Sequence, residues 1–138
     1  VPIGVAAVAR PGTDATVVTY GLHRHLSVEA ADRLEAEGVG SVEVIDLRTI
    51  APLDVDAVLA SVARTGRCLV VHEDTRSFGV GAEVAATVAE EAFFDLDAPV
   101  RRLATPDVPP FPFAPPLEEA LTIDADRIAA ELRDLLSV

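Results

Sequence analysis

Three adjacent polar residues, His72, Glu73 and Asp74, follow the most apolar run of the chain. A histidine beside carboxylates can act as a general base, and ligands of open α/β sheets bind where the parallel strands end. The alternative is that the two carboxylates only hydrogen-bond to the following loop and close the edge of the sheet. Both interpretations place the three residues at the carboxyl end of a central strand.

Two glycines, Gly79 and Gly81, are the second candidate, because they precede a predicted helix whose N-terminus can bind phosphate. The dinucleotide-binding fingerprint requires a third glycine, and Val84 stands at that position. A tight strand-to-helix turn is the alternative role of the glycines. Two functions therefore stay open: a self-contained hydrolase or transferase that uses His72 and Glu73, and a nucleotide-binding module that uses the glycine turn.

Few other side chains offer reactive groups. His23 and His25 are two residues apart and point to different faces of a predicted helix, so they do not form a metal site with His72. Cys68 is the only cysteine and cannot form an internal disulfide, so a cytoplasmic location is expected. The chain also lacks a nucleophile-elbow motif and a phosphate-binding loop motif.

The charge and composition of the 138-residue chain exclude several classes of protein. Half of the residues are hydrophobic and a quarter are charged, which is typical of a globular domain and excludes a mainly disordered chain. The net charge of −12 opposes nucleic-acid binding, because that binding begins with Lys and Arg side chains that neutralise phosphates. A basic protein partner would be attracted instead. No apolar run has the length of a membrane span, so no membrane contact is expected.

Short β-branched runs alternate with helical patterns, which predicts an α/β fold with a largely parallel sheet. The first strand is weak and precedes a Pro-Gly turn, so we expect it to pair antiparallel at an edge. The strands are predicted at 4–9, 16–20, 42–47, 68–72 and 100–104. The helices are predicted at 23–37, 55–65 and 124–136, with one more that Gly79 and Gly81 open.

Local signals mark the ends of these helices. Asp54 and Asp124 precede helical patterns and are the expected N-caps. Gly38 and Gly66 follow helical patterns, where a glycine adopts the left-handed conformation that ends a helix.

A proline-rich segment at 106–116 separates the last strand from the last helix. Prolines at this density remove backbone donors and favour an extended, polyproline-like conformation. Phe111 and Phe113 are interleaved with the prolines, so we expect burial of these two aromatic rings to fix the segment.

Five strings of the sequence, in this order, resemble one family of proteins. They are GTDATVVTYG at 12–21, VIDLRTIAPLD at 44–54, FGVGAE at 78–83, LDAPVRR at 96–102 and PFAPPLE at 112–118. The chain resembles, over essentially its whole length, the C-terminal, transketolase-C-like domain of the β subunit of 2-oxoacid dehydrogenase E1 components. The resemblance implies one domain over 1–138: a three-layer α/β/α sandwich around a five-stranded, mostly parallel mixed sheet with one antiparallel edge strand. It also implies that the chain is a piece of a longer β subunit.

The resemblance further implies a role within a larger enzyme. Family members form an α2β2 assembly that uses thiamine diphosphate and Mg²⁺ to decarboxylate a 2-oxoacid such as pyruvate or a branched-chain acid, and then reductively acylates the lipoyl group of the E2 subunit. The cofactor lies between other domains, so this domain is expected to hold no cofactor, metal or catalytic residue. Its expected partners are the E1 α subunit, a second β subunit and the basic peripheral subunit-binding domain of E2.

Particular residues follow from the same resemblance. Asp97 and the terminal carboxylate near Val138 match the family positions that contact the E2 domain. We expect a neighbouring domain to face the end of two strands, at Asp46, Arg48, His72 and Glu73. The strings around His72 and Pro112 look closer to branched-chain or acetoin-type enzymes than to pyruvate enzymes. The C-terminal domain of a transketolase or of a deoxyxylulose phosphate synthase is the alternative.

Overall fold

Five strands form one mixed sheet within residues 1–109 and 112–138, the part of the chain that the computed structural model describes. The strands are β1 (Ala7–Arg10), β2 (Ala15–Thr19), β3 (Val42–Asp46), β4 (Cys68–Thr75) and β5 (Arg101–Thr105). Their order in the sheet is β1-β3-β2-β4-β5. β1 pairs antiparallel with β3 at one side, and the other pairings are parallel.

Helices cover both faces of this sheet. They are α1 (Leu22–Ala36), α2 (Val55–Thr65), α3 (Val80–Glu91), α4 (Pro115–Leu121) and α5 (Ala125–Leu136), with a short 3-10 helix at Phe93–Asp95. α1 and α5 pack on one face, and α2 and α3 pack on the other. The three-layer α/β/α sandwich and the antiparallel edge strand confirm the predicted fold class.

Side-chain alternation along the strands explains the two cores. Val17 of β2 points into the core beneath α1 and α5, whereas its neighbour Val18 points into the core beneath α2 and α3. The run Leu69–Val71 of β4 is buried throughout, because both faces of a central parallel strand are covered.

The predicted helix ends are also confirmed. The Asp54 carboxylate accepts a hydrogen bond from the Ala57 amide at 3.2 Å, and Asp124 caps α5 in the same way through Arg127 at 2.9 Å. Gly66 ends α2 in the left-handed conformation, at a φ of 69°.

Two strand predictions differ from the structure by more than one residue at an end. The strand predicted at 4–9 begins only at Ala7, because Gly4 has a φ of 75° and belongs to a turn. β4 extends three residues beyond its predicted end at His72, to Thr75, and thereby includes Glu73 and Asp74.

The prediction for the proline-rich segment was wrong at its C-terminal end. Pro115 and Pro116 begin α4 instead of continuing an extended chain, because the first positions of a helix need no amide donor. The side chain of Phe113 is fully exposed at 101%, contrary to its predicted burial. Phe111, predicted to be buried with it, lies outside the described residues.

The parallel strands give the sheet two different edges. We name as the carboxyl edge the residues that follow β2, β3, β4 and β5, which are 20–23, 47–54, 76–81 and 106–109, together with the last residues of those strands. We name as the amino edge the residues that precede β3, β4 and β5, which are 37–41, 66–67 and 92–100, together with the end of α5.

Candidate functional site

His72 lies beneath the carboxyl edge and not on its surface. Its side chain is 1% exposed, and its Nε2 accepts a hydrogen bond from the Gly81 amide at 3.0 Å. The ring stacks on Tyr20, with ring centroids 6.2 Å apart. An Nε2 that accepts a main-chain hydrogen bond has no lone pair left for a substrate proton, so this geometry does not support a general base.

The surroundings of His72 keep its ring neutral. Burial lowers its pKa below the ordinary value; the negative charge of Asp74 opposes this shift, and smaller repulsions from the His23 ring and the Arg102 guanidinium add to the lowering. Its Nδ1 is buried and makes no hydrogen bond within the described residues. The expectation that His72 contacts a neighbouring domain is therefore corrected, because the ring is covered by its own chain.

The glycine turn is shaped by the same histidine. A Cβ added to Gly81 would lie 2.1 Å from His72 Nε2, and a Cβ added to Gly79 would lie 2.2 Å from the Thr75 carbonyl oxygen. The Gly81 amide is occupied by His72, and the Ala82 amide donates to the Gly79 carbonyl. Two of the first amides of α3 are thus engaged within the chain, which supports the structural role of the turn over phosphate binding.

Glu73 and Asp74 remain exposed at the carboxyl edge. With Tyr20 and Thr105 they line an open groove of about 410 Å³. Burial, followed by the negative charges of Asp74 and Glu73, raises the pKa of the Tyr20 hydroxyl. The phenol is therefore protonated at neutral pH and can serve as a hydrogen-bond donor there.

His23 lies beside Glu73 in a smaller groove of about 260 Å³, between the start of α1 and the start of the loop before α5. The side chain is buried, and burial lowers its pKa despite the opposing charge of Glu73. His25 is exposed, so the two histidines occupy different faces of α1 as their spacing predicted.

Asp46 and Arg48 follow β3 on the same edge. The Asp46 carboxylate accepts a hydrogen bond from the Arg48 amide at 3.1 Å and lies 4.0 Å from the Arg48 guanidinium. Arg48 has a φ of 57°, a conformation that costs a non-glycine residue about 1–2 kcal/mol. Arg48 and Asp46 therefore contact each other within a strained turn.

The loop after β3 holds the N-terminal residues, a contact that sequence reasoning missed. Thr49 Oγ1 accepts a hydrogen bond from the Gly4 amide at 2.9 Å. Asp54 Oδ2 accepts one from the Ala6 amide at 2.8 Å, while its other oxygen caps α2. Gly4 also lies against Pro52, where an added Cβ would be 2.9 Å from Cγ. Residues 4–6 are thus fixed across the carboxyl edge.

Phe78, in the loop between β4 and α3, was also missed as a functional candidate. Its side chain is fully exposed at 102%, and its φ of 61° is left-handed. The preceding Ser77 is tied to Asp107 by its amide at 3.0 Å and by its hydroxyl. The loop therefore presents an aromatic ring to solvent on a strained but anchored backbone.

At the amino edge, one arginine brings the two expected docking residues together. Arg67 donates a hydrogen bond to the main-chain oxygen of Val138 at 2.9 Å, and its guanidinium lies 3.7 Å from the Asp97 carboxylate. The Asp97 amide donates to the Gly66 carbonyl at 2.7 Å, which fixes this residue beside the start of β4. Asp97 is largely exposed. Among the described residues, its second carboxylate oxygen has no donor, so it can accept a hydrogen bond from a partner.

A mainly apolar groove of about 850 Å³ is lined by residues of α3 and by Asp97. Small side chains, including Ala85 and Ala89, form its floor. Phe93 and Phe94 also line it and are exposed, with their rings in an edge-to-face contact. An acidic residue therefore lines a mainly apolar groove that is large enough to receive a protein side chain.

Two other expectations concern groups that bind or react. Burial raises the pKa of the Cys68 thiol to about 12, so it is not a nucleophile at neutral pH. Within 1–109 and 112–138, no three or more His, Cys, Asp or Glu side chains are arranged to hold a metal ion. No helix in those same ranges has the length and hydropathy needed to cross a membrane.

Comparison with known proteins places these features in a family. A family model described as the C-terminal domain of transketolase matches residues 4–128. The 2-oxoisovalerate dehydrogenase subunit beta of Bacillus subtilis is 47% identical over 134 residues, which are 97% of this chain and 41% of that protein. The 3-methyl-2-oxobutanoate dehydrogenase subunit beta of Mycobacterium tuberculosis is 53% identical over 108 residues, which are 78% of this chain and 31% of that protein.

A solved structure agrees with the fold. The chain is similar to a split gene transketolase in an inactive beta4 tetramer, with a TM-score of 0.84 and 28% identity over 97% of this chain and 43% of that chain. The chain thus spans less than half the length of each of these three proteins. The predicted resemblance to β subunits of 2-oxoacid dehydrogenases is confirmed by the two relatives. By the match over residues 4–128, the chain belongs to the transketolase C-terminal domain family.

Proposed function

We propose that this chain is the C-terminal domain of the β subunit of a thiamine diphosphate-dependent 2-oxoacid dehydrogenase E1 component, and that it is a piece of a longer β subunit. The names and identities of the two relatives support this proposal. Both names specify a branched 2-oxoacid, so we propose a branched-chain substrate class for the whole enzyme. The similar transketolase is less identical to this chain than either relative, which disfavours the transketolase alternative.

Within that enzyme, the domain serves assembly and docking and not catalysis. The buried His72, the inert Cys68 and the internally bonded glycine turn support this division of labour. The donor set of the described residues does not fit a metal, so we place thiamine diphosphate and Mg²⁺, together with the decarboxylation that they support, on other domains. The whole enzyme then reductively acylates the lipoyl groups of E2. A cytoplasmic location is part of the same proposal.

The amino edge is the proposed docking site for the peripheral subunit-binding domain of E2. The observation that carries this assignment is the contact of Arg67 with both Asp97 and Val138, two residues that are 41 positions apart. Arg67 holds the two acceptors at one place while leaving most of Asp97 exposed. A basic module would meet an oriented carboxylate beside an apolar groove, in a chain whose net charge of −12 accelerates its approach.

The carboxyl edge is the proposed interface with the rest of the α2β2 enzyme, that is, with the E1 α subunit and the second β subunit or with another domain. Asp46, Arg48 and Glu73 stand at this edge with side chains that solvent reaches. Each of the four loops of the carboxyl edge also carries one large exposed apolar residue: Leu22, Ile50, Phe78 or Val108. Isolated exposed apolar residues are common, but one on each of four adjacent loops is typical of an interface.

The experiment that tests this function uses the full-length β subunit assembled with its α subunit. With thiamine diphosphate and Mg²⁺ present, we expect turnover of 2-oxoisovalerate, and calorimetry should show binding of the E2 subunit-binding domain. The matched variants are Asp97→Asn at the amino edge and Glu73→Gln at the carboxyl edge. Loss of E2-domain binding in the first and not in the second supports the docking site. Equal binding by both variants and the wild type at low salt would reject it.

A further inference from the structure

The strongest unexplained feature of the molecule is the conformation of Phe78. A large apolar ring that is fully exposed gains nothing from burial in its own chain, and a left-handed φ is unfavourable for a residue with a Cβ. Strained residues of this kind persist where the surrounding structure enforces them, and they cluster at functional sites. The Ser77–Asp107 contacts and the close packing of Gly79 on Thr75 enforce this conformation.

A groove lies directly beside this ring. It has a volume of about 560 Å³ and lies between the loop before α2 and the start of α3. Its apolar lining includes Ile50, Pro52 and Val80, and the carboxylates of Asp74 and Glu83 also line it. This groove, which we name the Phe78 groove, can receive an apolar element that carries a Lys or Arg beside it.

The N-terminal residues of the chain run beside the same groove. β1 is antiparallel to β3, so residues 1–6 lie at the carboxyl edge, where β3 ends. Thr49 and Asp54 hold Gly4 and Ala6 there, and Gly4 lies against Pro52 of the groove. Val1 and Ile3 are exposed at this point. Polypeptide that precedes Val1 therefore emerges on the side of the molecule where Pro52, which Gly4 contacts, lines the Phe78 groove.

We propose that Phe78 is an interdomain wedge: the polypeptide that precedes Val1 in the longer protein folds back onto the Phe78 groove and covers this ring. The inference rests on the proposed function, because it requires the chain to be the C-terminal part of a longer subunit. It names Phe78 as the anchor of that contact, with Ile50 beside it and with Asp74 and Glu83 as acceptors for a cationic side chain.

The proposal predicts opposite effects of one substitution in two contexts. Asn tolerates the left-handed conformation, so Phe78→Asn should raise the melting temperature of the 138-residue chain by about 3 °C. In the full-length β subunit the same variant should lower the melting temperature, because the covered ring is lost. Phe78→Tyr keeps the ring and should behave as the wild type in both. Phe94→Asn, at an equally exposed phenylalanine without positive φ, should not raise the melting temperature of the 138-residue chain.

Hydrogen–deuterium exchange shows which polypeptide covers the Phe78 groove. Amides of residues 76–80 should exchange at least 10-fold more slowly in the full-length β subunit than in the 138-residue chain, and Phe78→Asn should abolish this protection. Equal exchange in both chains would overturn the proposal, as would protection that develops only after the α subunit is added, because the occupant would then be another subunit. Activity toward 2-oxoisovalerate is measured separately, so failure of the proposed function is distinguishable from failure of the wedge.

Discussion

The two edges of the sheet differ in how their side chains are held. At the carboxyl edge, main-chain groups are bonded to side chains of the same chain, as in the Gly81 contact with His72 and the Gly4 contact with Thr49. At the amino edge, charged side chains such as Asp97 and Arg67 remain partly free to meet solvent or a partner. The first arrangement suits a permanent contact of fixed shape, and the second suits a partner that binds and leaves.

Strain follows the same division. Among the described residues, Arg48 and Phe78 are the two non-glycine residues with positive φ, and both lie at the carboxyl edge. Near the amino ends of β2 and β3, a polar network instead joins the sheet to α2: the buried Glu43 accepts hydrogen bonds from Ser61 and Arg64, and Ser61 contacts Thr16 at 2.7 Å. This network fixes α2 on the sheet without distorting the backbone. Shape is therefore set by backbone geometry at one edge and by polar side chains at the other.

The largest expected effect is a loss of stability caused by a substitution at the carboxyl edge. Gly81→Ala places a Cβ 2.1 Å from His72 Nε2, so the ring or the start of α3 must move. We expect a loss of about 3 kcal/mol in the free energy of unfolding, measured by urea denaturation. Gly38→Ala is the control for the added methyl group, because a Cβ there meets no atom within 4 Å among the described residues and only the positive φ of 70° opposes the substitution. A loss no larger than that of the control would show that His72 is not packed against α3 as described.

The next effect tests the amino edge. Asp97→Asn keeps the shape of the side chain but removes its charge, and we expect E2-domain binding to weaken by about 1–3 kcal/mol in calorimetry. The loss should shrink as salt is added, since the interaction is partly exposed. Stability of the domain should stay within about 0.5 kcal/mol of the wild type, because exposed ion pairs contribute little. A large loss of stability with unchanged binding of the E2 domain would show that Asp97 is a structural residue and not a docking residue.

A smaller effect sharpens the role of the loop that follows β3. Thr49→Val removes the acceptor of the Gly4 amide at nearly constant volume, and we expect a loss of about 1 kcal/mol with faster exchange of that amide. Thr13→Val is the control, because among the described residues its hydroxyl hydrogen-bonds only to the adjacent, exposed Asp14. If the Gly4 amide hydrogen exchanges at the wild-type rate in both variants, the hydroxyl of Thr49 does not hold the N-terminal residues.

The smallest expected effect is a pH dependence that belongs to the carboxyl edge. The pKa values of His72 and His23 are lowered in the folded chain, so below about pH 6.5 the unfolded chain binds more protons at these residues. Their contribution to stability is therefore fully present above pH 6.5 and is lost as the pH falls through the folded values. Urea denaturation between pH 5 and 7.5 measures this slope, and His23→Gln should reduce it. A slope of the opposite sign would mean that the buried rings are charged.

The sequence predicts those parts of this fold that depend on neighbours along the chain. The Asp54 and Asp124 caps act within three residues, and the apolar run that begins at Cys68 needs only burial on both faces. α4 was missed because proline density indicates an extended chain, whereas Pro115 and Pro116 occupy the start of a helix. The juxtaposition of Arg67 with Val138, 71 residues apart, depends on the finished tertiary structure and has no local signal.

The same limit applies to the candidate site. His72 was singled out for the right position but the wrong chemistry, since nothing in the sequence shows that a glycine amide nine residues later will occupy its Nε2. Nothing in the sequence marks Phe78 as a functional candidate, because its exposure and left-handed backbone arise from the contacts of Ser77 with Asp107, 30 residues away. Thr49 belongs to a string that the family resemblance covers, yet its bond to Gly4 appears only in three dimensions.

Asp54 uses one carboxylate for two distant parts of the chain, one oxygen on Ala57 and the other on Ala6. The start of α2 and the residues before β1 therefore cannot separate without the loss of a bond to the same side chain. We expect the two segments to open together as one cooperative unit in native-state exchange, although Ala6 and Asp54 are 48 positions apart along the chain.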